Sequence, residues 1–95
     1  MQRKDSELVR MCKAGEDSAF YELIERYKKM GFSLAYNMMN SVEDAEDISQ
    51  EALPVVYSAI ERFREESSFK TWFYKIVLNL YRSRHWRMKI IAFSL

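Results

Sequence analysis

Apolar side chains recur through most of this chain at the three- and four-residue spacing that places them on one face of an α-helix. The longest pattern follows the segment GEDSAF and runs for about five turns through Phe20, Leu23, Ile24, Tyr27, Met30, Leu34, Ala35 and Met38. It predicts a long helix with Asp17 as its N-cap. Gly31 lies inside the pattern, and we expect a second helix to approach closely there because glycine has no side chain.

A shorter helix is predicted before it, over Ser6–Ala14, with Asp5 as N-cap and Gly15 ending it in the left-handed conformation. A third helix is predicted after the cap residue Ser41. Its buried stripe is expected to comprise Ala45, Ile48, Ala52, Val55, Ala59 and Phe63. Pro54 lies within this helix and removes the hydrogen bond to the Gln50 carbonyl, so we expect a kink between these two residues.

A fourth helix is predicted after the polar turn REES, with Ser67 or Ser68 as its cap and an end near Arg87. Its core face is expected to contain Phe69, Trp72, Phe73, Ile76, Val77 and Leu80. The chain of 95 residues contains only two glycines and one proline, too few turn residues for a β-fold of this size. The predicted fold class is therefore all-α, a compact bundle of about four helices in one domain over residues 1–90.

The composition excludes several classes of protein. Cys12 is the single cysteine, so no internal disulfide is possible, and we expect it to be a small core residue. The sequence predicts no metal site and no cofactor, and it contains neither a catalytic triad nor a glycine-rich phosphate loop. No apolar run approaches the roughly eighteen residues of a membrane span, and the polar start is unlike a signal peptide. We therefore expect a cytoplasmic protein that is not an enzyme.

The net charge is only +1, but the charges are segregated along the chain. Residues 30–61 contain six acids and no Lys or Arg, whereas residues 67–95 contain six bases and no acid. An acidic middle and a basic end predict two surfaces that prefer different partners.

The basic end carries a second stripe on the predicted fourth helix. Lys75, Asn79, Arg82 and Trp86 are spaced four, three and four residues apart, and so project together away from the core face. Lys and Arg can contact phosphates, Asn can read a base edge, and an aromatic ring can stack on an unpaired base. The alternative is that the charges only solubilise the helix while the tryptophan covers a hydrophobic edge. The charge segregation favours nucleic acid, with Arg84, Arg87 and Lys89 extending the positive surface and Tyr74 exposed beside it.

The acidic middle groups Glu46, Asp47, Gln50 and Glu51 on one side of the third helix. These residues lack the spacing and the glycine of a calcium loop, so capping charge is a better interpretation than a metal site. An Arg-rich protein partner is a second possibility. From the patch alone, solvation remains the more ordinary explanation.

Three segments in order resemble region 2 of bacterial sigma factors of the extracytoplasmic-function group. They are LVRMCKAGEDSAFYELIERY, DAEDISQEAL and FREESSFKTWFYKIVLNLYRSRHWR, which together cover nearly the whole chain. The resemblance implies a small helical bundle that binds core RNA polymerase through the clamp helices of its largest subunit. It also implies recognition of the non-template strand of the promoter minus-ten element, with a base held extruded by the loop before the fourth helix.

The resemblance and the exposed stripe together give the residues expected to carry these functions. Those expected to bind DNA are Arg64, Ser67, Ser68, Phe69, Trp72, Tyr74, Lys75, Asn79, Arg82 and Trp86. Those expected to bind polymerase are Asp44, Asp47, Gln50 and Glu51. An anti-sigma factor is implied as a further partner, and residues 91–95 would begin a linker to a second DNA-binding domain. Pro54 departs from the ordinary helix former expected in the polymerase-binding helix.

Two other functions remain open from the sequence. One is a sigma-like helical interaction module that binds polymerase or an anti-sigma factor without reading DNA. The other is a helix-turn-helix protein that prefers duplex DNA. Strand-specific DNA binding distinguishes all three.

Overall fold

The long second helix organises the fold, because the other three helices all pack against it. The computed structural model describes residues 2–94. Helix α1 spans Asp5–Lys13, α2 Asp17–Met39, α3 Val42–Ala59 and α4 Phe69–Ser94, and a short 3-10 turn covers Ile60–Arg62. Helix α2 contacts α1, α3 and α4, and α3 also contacts α4. The all-α prediction is confirmed, including its number of helices.

One continuous hydrophobic core joins these helices. Its buried members are Leu8, Val9, Ala19, Phe20, Leu23, Ile24, Ala35, Ala45, Ile48, Ala52, Val56, Ile60, Phe63, Phe69, Phe73 and Val77. Cys12 packs against this core, half-buried, and burial together with the Asp17 carboxylate raises the pKa of its thiol. A raised pKa keeps the thiol protonated and unreactive, which fits a packing role.

Gly31 is the point of closest approach between α2 and α4. A Cβ atom at this position would lie 2.9 Å from Cε2 of Phe73 and 3.7 Å from Cγ2 of Val77. The predicted close crossing is thus confirmed, and the crossing partner is the buried face of α4.

The predicted caps are partly confirmed. The Ser41 hydroxyl accepts the Asp44 N–H at 3.2 Å, and Gly15 ends α1 with a φ of 91°. The predictions for Asp5 and Asp17 are wrong, because both residues are already helical and the preceding residues, Lys4 and Glu16, occupy the N-cap positions. Their carboxylates serve tertiary contacts instead. Asp5 accepts from Arg26 and Tyr27, and Asp17 accepts from Tyr57.

Helix α3 continues through Pro54 to Ala59, so the proline does not end it. Pro54 and Gln50 both lie on the exposed side of the helix, where water can reach the carbonyl that has lost its partner. The buried stripe differs from the prediction at two positions, because Val56 and Ile60 are buried in place of Val55 and Ala59. Val55 is 38% exposed, whereas Val56 is fully buried.

The predicted end of α4 near Arg87 is also wrong, since the helix runs to Ser94. Its last turns extend beyond the rest of the bundle and give the molecule extents of 52 × 24 × 21 Å. Met88 and Ile91 continue the spacing of the core face but are exposed, because no other described element reaches them. Among the described residues, no helix is long and apolar enough to cross a membrane.

Candidate functional site

The stripe predicted on the fourth helix is exposed in the structure. Lys75, Asn79 and Arg82 lie on the surface, and the Trp86 side chain is 65% exposed. The opposite face of α4 buries Phe73 and Val77 against α2 and α3. The amphipathic division of α4 therefore leaves a basic, amide and aromatic surface facing solvent.

The loop before α4 is held at both ends. On one side, Lys13 of α1 donates a hydrogen bond to the backbone carbonyl of Phe63, whose ring is buried in the core. On the other, the Ser68 hydroxyl accepts the Thr71 N–H at 3.1 Å and so caps α4. Of the two candidate caps, Ser68 is thus the one that acts. Between them Glu65 has a φ of 57°, a left-handed conformation that a non-glycine residue adopts rarely.

A shallow groove separates this loop from the start of α4. Its volume is about 450 Å³, and it is lined by Arg62, Phe63, Arg64, Glu66, Ser67, Trp72 and Lys75. The Trp72 ring stacks on Phe63 at a centroid distance of 4.6 Å, which covers one face of the indole. The groove thus combines basic groups, a serine hydroxyl and aromatic edges, a combination suited to holding a flat polar ring beside a phosphate.

Phe69 and Ser68, both predicted to bind DNA, are committed to other contacts, and the Ser67 hydroxyl donates to the Ser68 carbonyl at 3.3 Å. The Phe69 ring is only 3% exposed and packs against Trp72 and Phe73 at 5.8 and 5.9 Å. It is a core residue and cannot reach a base without opening the bundle. The Ser68 hydroxyl, besides capping the helix, bonds to the Thr71 hydroxyl. Tyr74 and Arg64 are exposed and remain available.

The acidic residues of α3 surround Arg84, which the charge segregation predicts on the positive surface. Arg84 Nη2 donates to Asp44 Oδ1 at 3.2 Å and to Asp47 Oδ2 at 3.0 Å. Its Nη1 lies 3.6 Å from Glu51 Oε1. Gln50 is exposed on the outer side of the helix. The expectation that Arg84 extends the DNA-facing stripe is therefore wrong.

The signal for this placement was present in the sequence. Arg84 follows Leu80 by four residues and so continues the core face of α4 by one turn. The predicted core face ends at Leu80, one turn before Arg84. The three acids converge from α3 at the same level, which only the packing of the two helices reveals.

The structure contains no metal-binding cluster within residues 2–94. No group of three or more His, Cys, Asp or Glu side chains among them could hold a metal ion. The basic stripe of α4, with its exposed rings, and the acidic surface of α3, with the Arg84 guanidinium at its centre, are both suited to binding.

Comparison with known protein families assigns the fold. A family model described as Sigma-70 region 2 matches residues 23–89, well over half of the chain. The chain belongs to the Sigma-70 region 2 family. The match spans most of α2, all of α3, the loop and most of α4, and therefore both surfaces. Sigma factor domains form a non-enzymatic family, in agreement with the prediction.

Relatives among characterised proteins include extracytoplasmic-function sigma factors. The chain is 38% identical over 72 residues to the ECF RNA polymerase sigma factor SigW of Bacillus subtilis, covering 76% of this chain and 38% of that protein. It is 37% identical over 78 residues to the ECF RNA polymerase sigma-E factor of Escherichia coli, covering 82% and 40%. The region-2 domain thus spans about two-fifths of the length of these relatives.

A solved structure shares the fold over nearly its full length. It is an NMR structure of an engineered region 2 of sigmaE in complex with GTAAAA. Its TM-score is 0.83 at 31% identity, and the alignment covers 93% of this chain and 92% of that one. The resemblance to region 2 of extracytoplasmic-function sigma factors is confirmed.

Proposed function

We propose that this region-2 domain acts in transcription initiation by binding the non-template strand of the promoter minus-ten element while docked on core RNA polymerase. The observation that carries the proposal is the exposed stripe of α4, which lies beside the loop that precedes this helix. The fold also matches that of an engineered sigmaE region 2 solved in complex with GTAAAA. Such a function requires affinity for an opened strand rather than chemistry on it.

The residues divide by the part of the strand that each can contact. Lys75, Arg82 and Arg64 are exposed cations suited to phosphates, which position the strand without reading its sequence. Asn79 has the amide that pairs with a base edge, and Tyr74 and Trp86 offer exposed rings for stacking. One face of α4 would thus provide both sequence-independent affinity for the strand and discrimination between base sequences.

The groove between the loop and α4 is the proposed site for an extruded base. A protein cannot read the Watson–Crick edge of a base inside a duplex, so the base must be unstacked at a cost of a few kcal/mol. The Ser67 hydroxyl and the edge of Trp72 line this groove, with Lys75 beside them. Because a base must leave the duplex to enter this groove, binding favours the open strand, and melting follows from that preference.

The acidic surface of α3 is the proposed docking site for the clamp helices of the largest polymerase subunit. Asp44, Asp47 and Glu51 present carboxylates to a basic partner, and Gln50 adds an amide at their outer edge. Membership of the extracytoplasmic-function group supports two finer proposals, an anti-sigma partner and action in the cytoplasm, where polymerase meets the chromosome. Both rest on the family alone.

Anisotropy of a labelled single-stranded minus-ten oligonucleotide, titrated with the domain in complex with core polymerase, tests the proposal. We expect Arg82→Ala to weaken binding to all oligonucleotide sequences alike. It should also lower the salt dependence of the binding constant, measured as the slope of log K against log salt concentration, by about one. Asn79→Ala should lose about 1–3 kcal/mol of discrimination between matched and mismatched sequences. Arg10→Ala, an exposed position on α1, is the matched control for a lost charge.

The outcomes separate the candidate functions. Equal losses on every sequence from both substitutions would remove the base-reading role of Asn79. Binding to core polymerase without any gain in DNA affinity would favour an interaction module. A preference for the duplex form of the same site would favour a helix-turn-helix type of reader.

A further inference from the structure

Arg84 lies where the two proposed interfaces meet, on the DNA-side helix but against the acidic helix. We infer that Arg84 is a positioning residue of the polymerase-docking surface, arranging Asp44, Asp47 and Glu51 as one array. This inference rests on the proposed function, because it assigns a role within the docking surface. It goes beyond the proposed function because it predicts that a basic residue strengthens the binding of a basic partner.

The geometry supports positioning because three like charges share one guanidinium. Asp44, Asp47 and Glu51 follow one another at spacings of three and four residues, where like charges on a helix repel. The Arg84 guanidinium has five donors in a planar fork, and its two terminal nitrogens reach all three carboxylates at 3.0, 3.2 and 3.6 Å. Without it the acids would turn away from one another toward solvent.

The pattern of exposure keeps this array accessible to a partner. The Arg84 side chain is 22% exposed, whereas those of Asp44, Asp47 and Glu51 are 32%, 60% and 44% exposed. The guanidinium therefore lies beneath the carboxylates rather than over them. Three acids against one base leave a net negative surface, and the carboxylate oxygens that face solvent can still accept hydrogen bonds.

The position of Arg84 in α4 gives the contact a second consequence. It continues the buried line of Phe73 and Val77 at the level where α4 leaves the bundle, and Met88 one turn later is exposed. Among the described residues it makes the last ion pairs between α4 and α3. It thus helps to hold the stripe on α4 at a constant position relative to the docking surface.

A positioning role for Arg84 and a purely electrostatic role predict opposite changes in polymerase affinity for one substitution. Arg84→Gln makes the docking surface more negative, so a charge count alone predicts tighter binding to a basic partner. Positioning predicts weaker binding, because the carboxylates lose their arrangement. Arg84→Lys keeps the charge without the fork, and positioning predicts an intermediate loss.

Titration of labelled domain with core RNA polymerase at constant salt provides the measurement. We expect Arg84→Gln to raise the Kd about tenfold and Arg84→Lys about threefold, while Arg10→Gln, which removes the same charge on α1, changes it by less than about twofold. In a Glu51→Gln background the effect of Arg84→Gln should shrink, because one partner is already neutral. Hydrogen exchange should quicken in the last turns of α4 for Arg84→Gln but not for Arg10→Gln.

Tighter or unchanged binding of Arg84→Gln would overturn the inference, as would equal losses from Arg84→Gln and Arg10→Gln. The double substitution Asp47→Asn and Glu51→Gln isolates the proposed function. If that variant binds as well as the unmodified domain, the docking surface itself is wrongly assigned. If it binds weakly while Arg84→Gln does not, only the role of Arg84 fails. Should Arg84→Gln lose its helical circular dichroism, Arg84→Lys carries the test.

Discussion

Replacing Gly31 with alanine sets two effects of known size against each other. Alanine in a helix interior is more favourable than glycine by about 1 kcal/mol. At this position, however, the new methyl group would lie 2.9 Å from Cε2 and 3.1 Å from Cζ of Phe73. The sign of the change in stability depends on whether that ring can move away.

The packing of Phe73 indicates that it cannot move freely. The ring is 3% exposed, lies 5.9 Å from the parallel ring of Phe69, and is tilted against Tyr27 at 6.4 Å. Adding a methyl group to such a core costs about 1–3 kcal/mol. We therefore expect Gly31→Ala to lower the free energy of unfolding by about 1 kcal/mol, because overpacking exceeds the gain in helix propensity.

Urea denaturation followed by circular dichroism measures this, with Phe73→Leu as the second arm of a double-mutant cycle. In the Phe73→Leu background the ring is gone, so Gly31→Ala should become stabilising by up to about 1 kcal/mol. The change of sign between backgrounds is the decisive observation. An increase in stability in the unmodified background, or the same effect in both, would refute the proposed crossing geometry.

Three further predictions test caps, burial and titration. Ser68→Ala should cost about 1 kcal/mol of unfolding free energy and Ser67→Ala less than about 0.5, because only Ser68 caps α4; equal costs would contradict that assignment. Val56→Ala should cost about 2 kcal/mol through lost apolar burial and a cavity, whereas Val55→Ala should cost less than about 0.5; urea denaturation of this matched pair checks the orientation of α3. Burial and the hydrogen bond to Asp5 raise the pKa of Tyr27 from 10.0 to about 12. The contribution of its protonated hydroxyl is therefore fully present below pH 10 and is lost as the pH rises to about 12. The stability difference between the unmodified domain and Tyr27→Phe should shift in that window, and a constant difference from pH 8 to 12 would contradict it.

The helices and most of their buried faces were predictable because they depend on local spacing. The apolar positions of α2 and the core side of α4 follow the helical period over many turns, which makes the pattern robust. Ser41 and Ser68 cap through a bond to a residue three positions later, a contact that lies within the sequence window itself. The family resemblance was similarly readable, since its motifs occur in order along nearly the whole chain.

The errors concern polar groups that had a choice of partner, a pair of equally apolar neighbours and the end of one helix. Asp5 and Asp17 are suitable caps by residue type, yet each bonds instead to a group at least 21 residues away. Val55 and Val56 are equally apolar neighbours, and only the direction from which the core reaches α3 decides which is buried. The predicted end of α4 near Arg87 is wrong because the sequence after Arg87 contains no helix stop signal. The helix therefore continues past the bundle to Ser94.

The sequence by itself determined the all-helical fold, the segregation of charge and the exposure of the stripe on α4. These properties depend on which residues share a helix face, and the helical period specifies that locally. Only the tertiary structure decided that Arg84 pairs with the acids of α3 and that Val56 is buried instead of Val55. The physical reason is that pairing a guanidinium with carboxylates, or burying one of two apolar neighbours, requires another element at the right distance. That distance is set by helix packing across nearly the whole chain rather than by neighbouring residues.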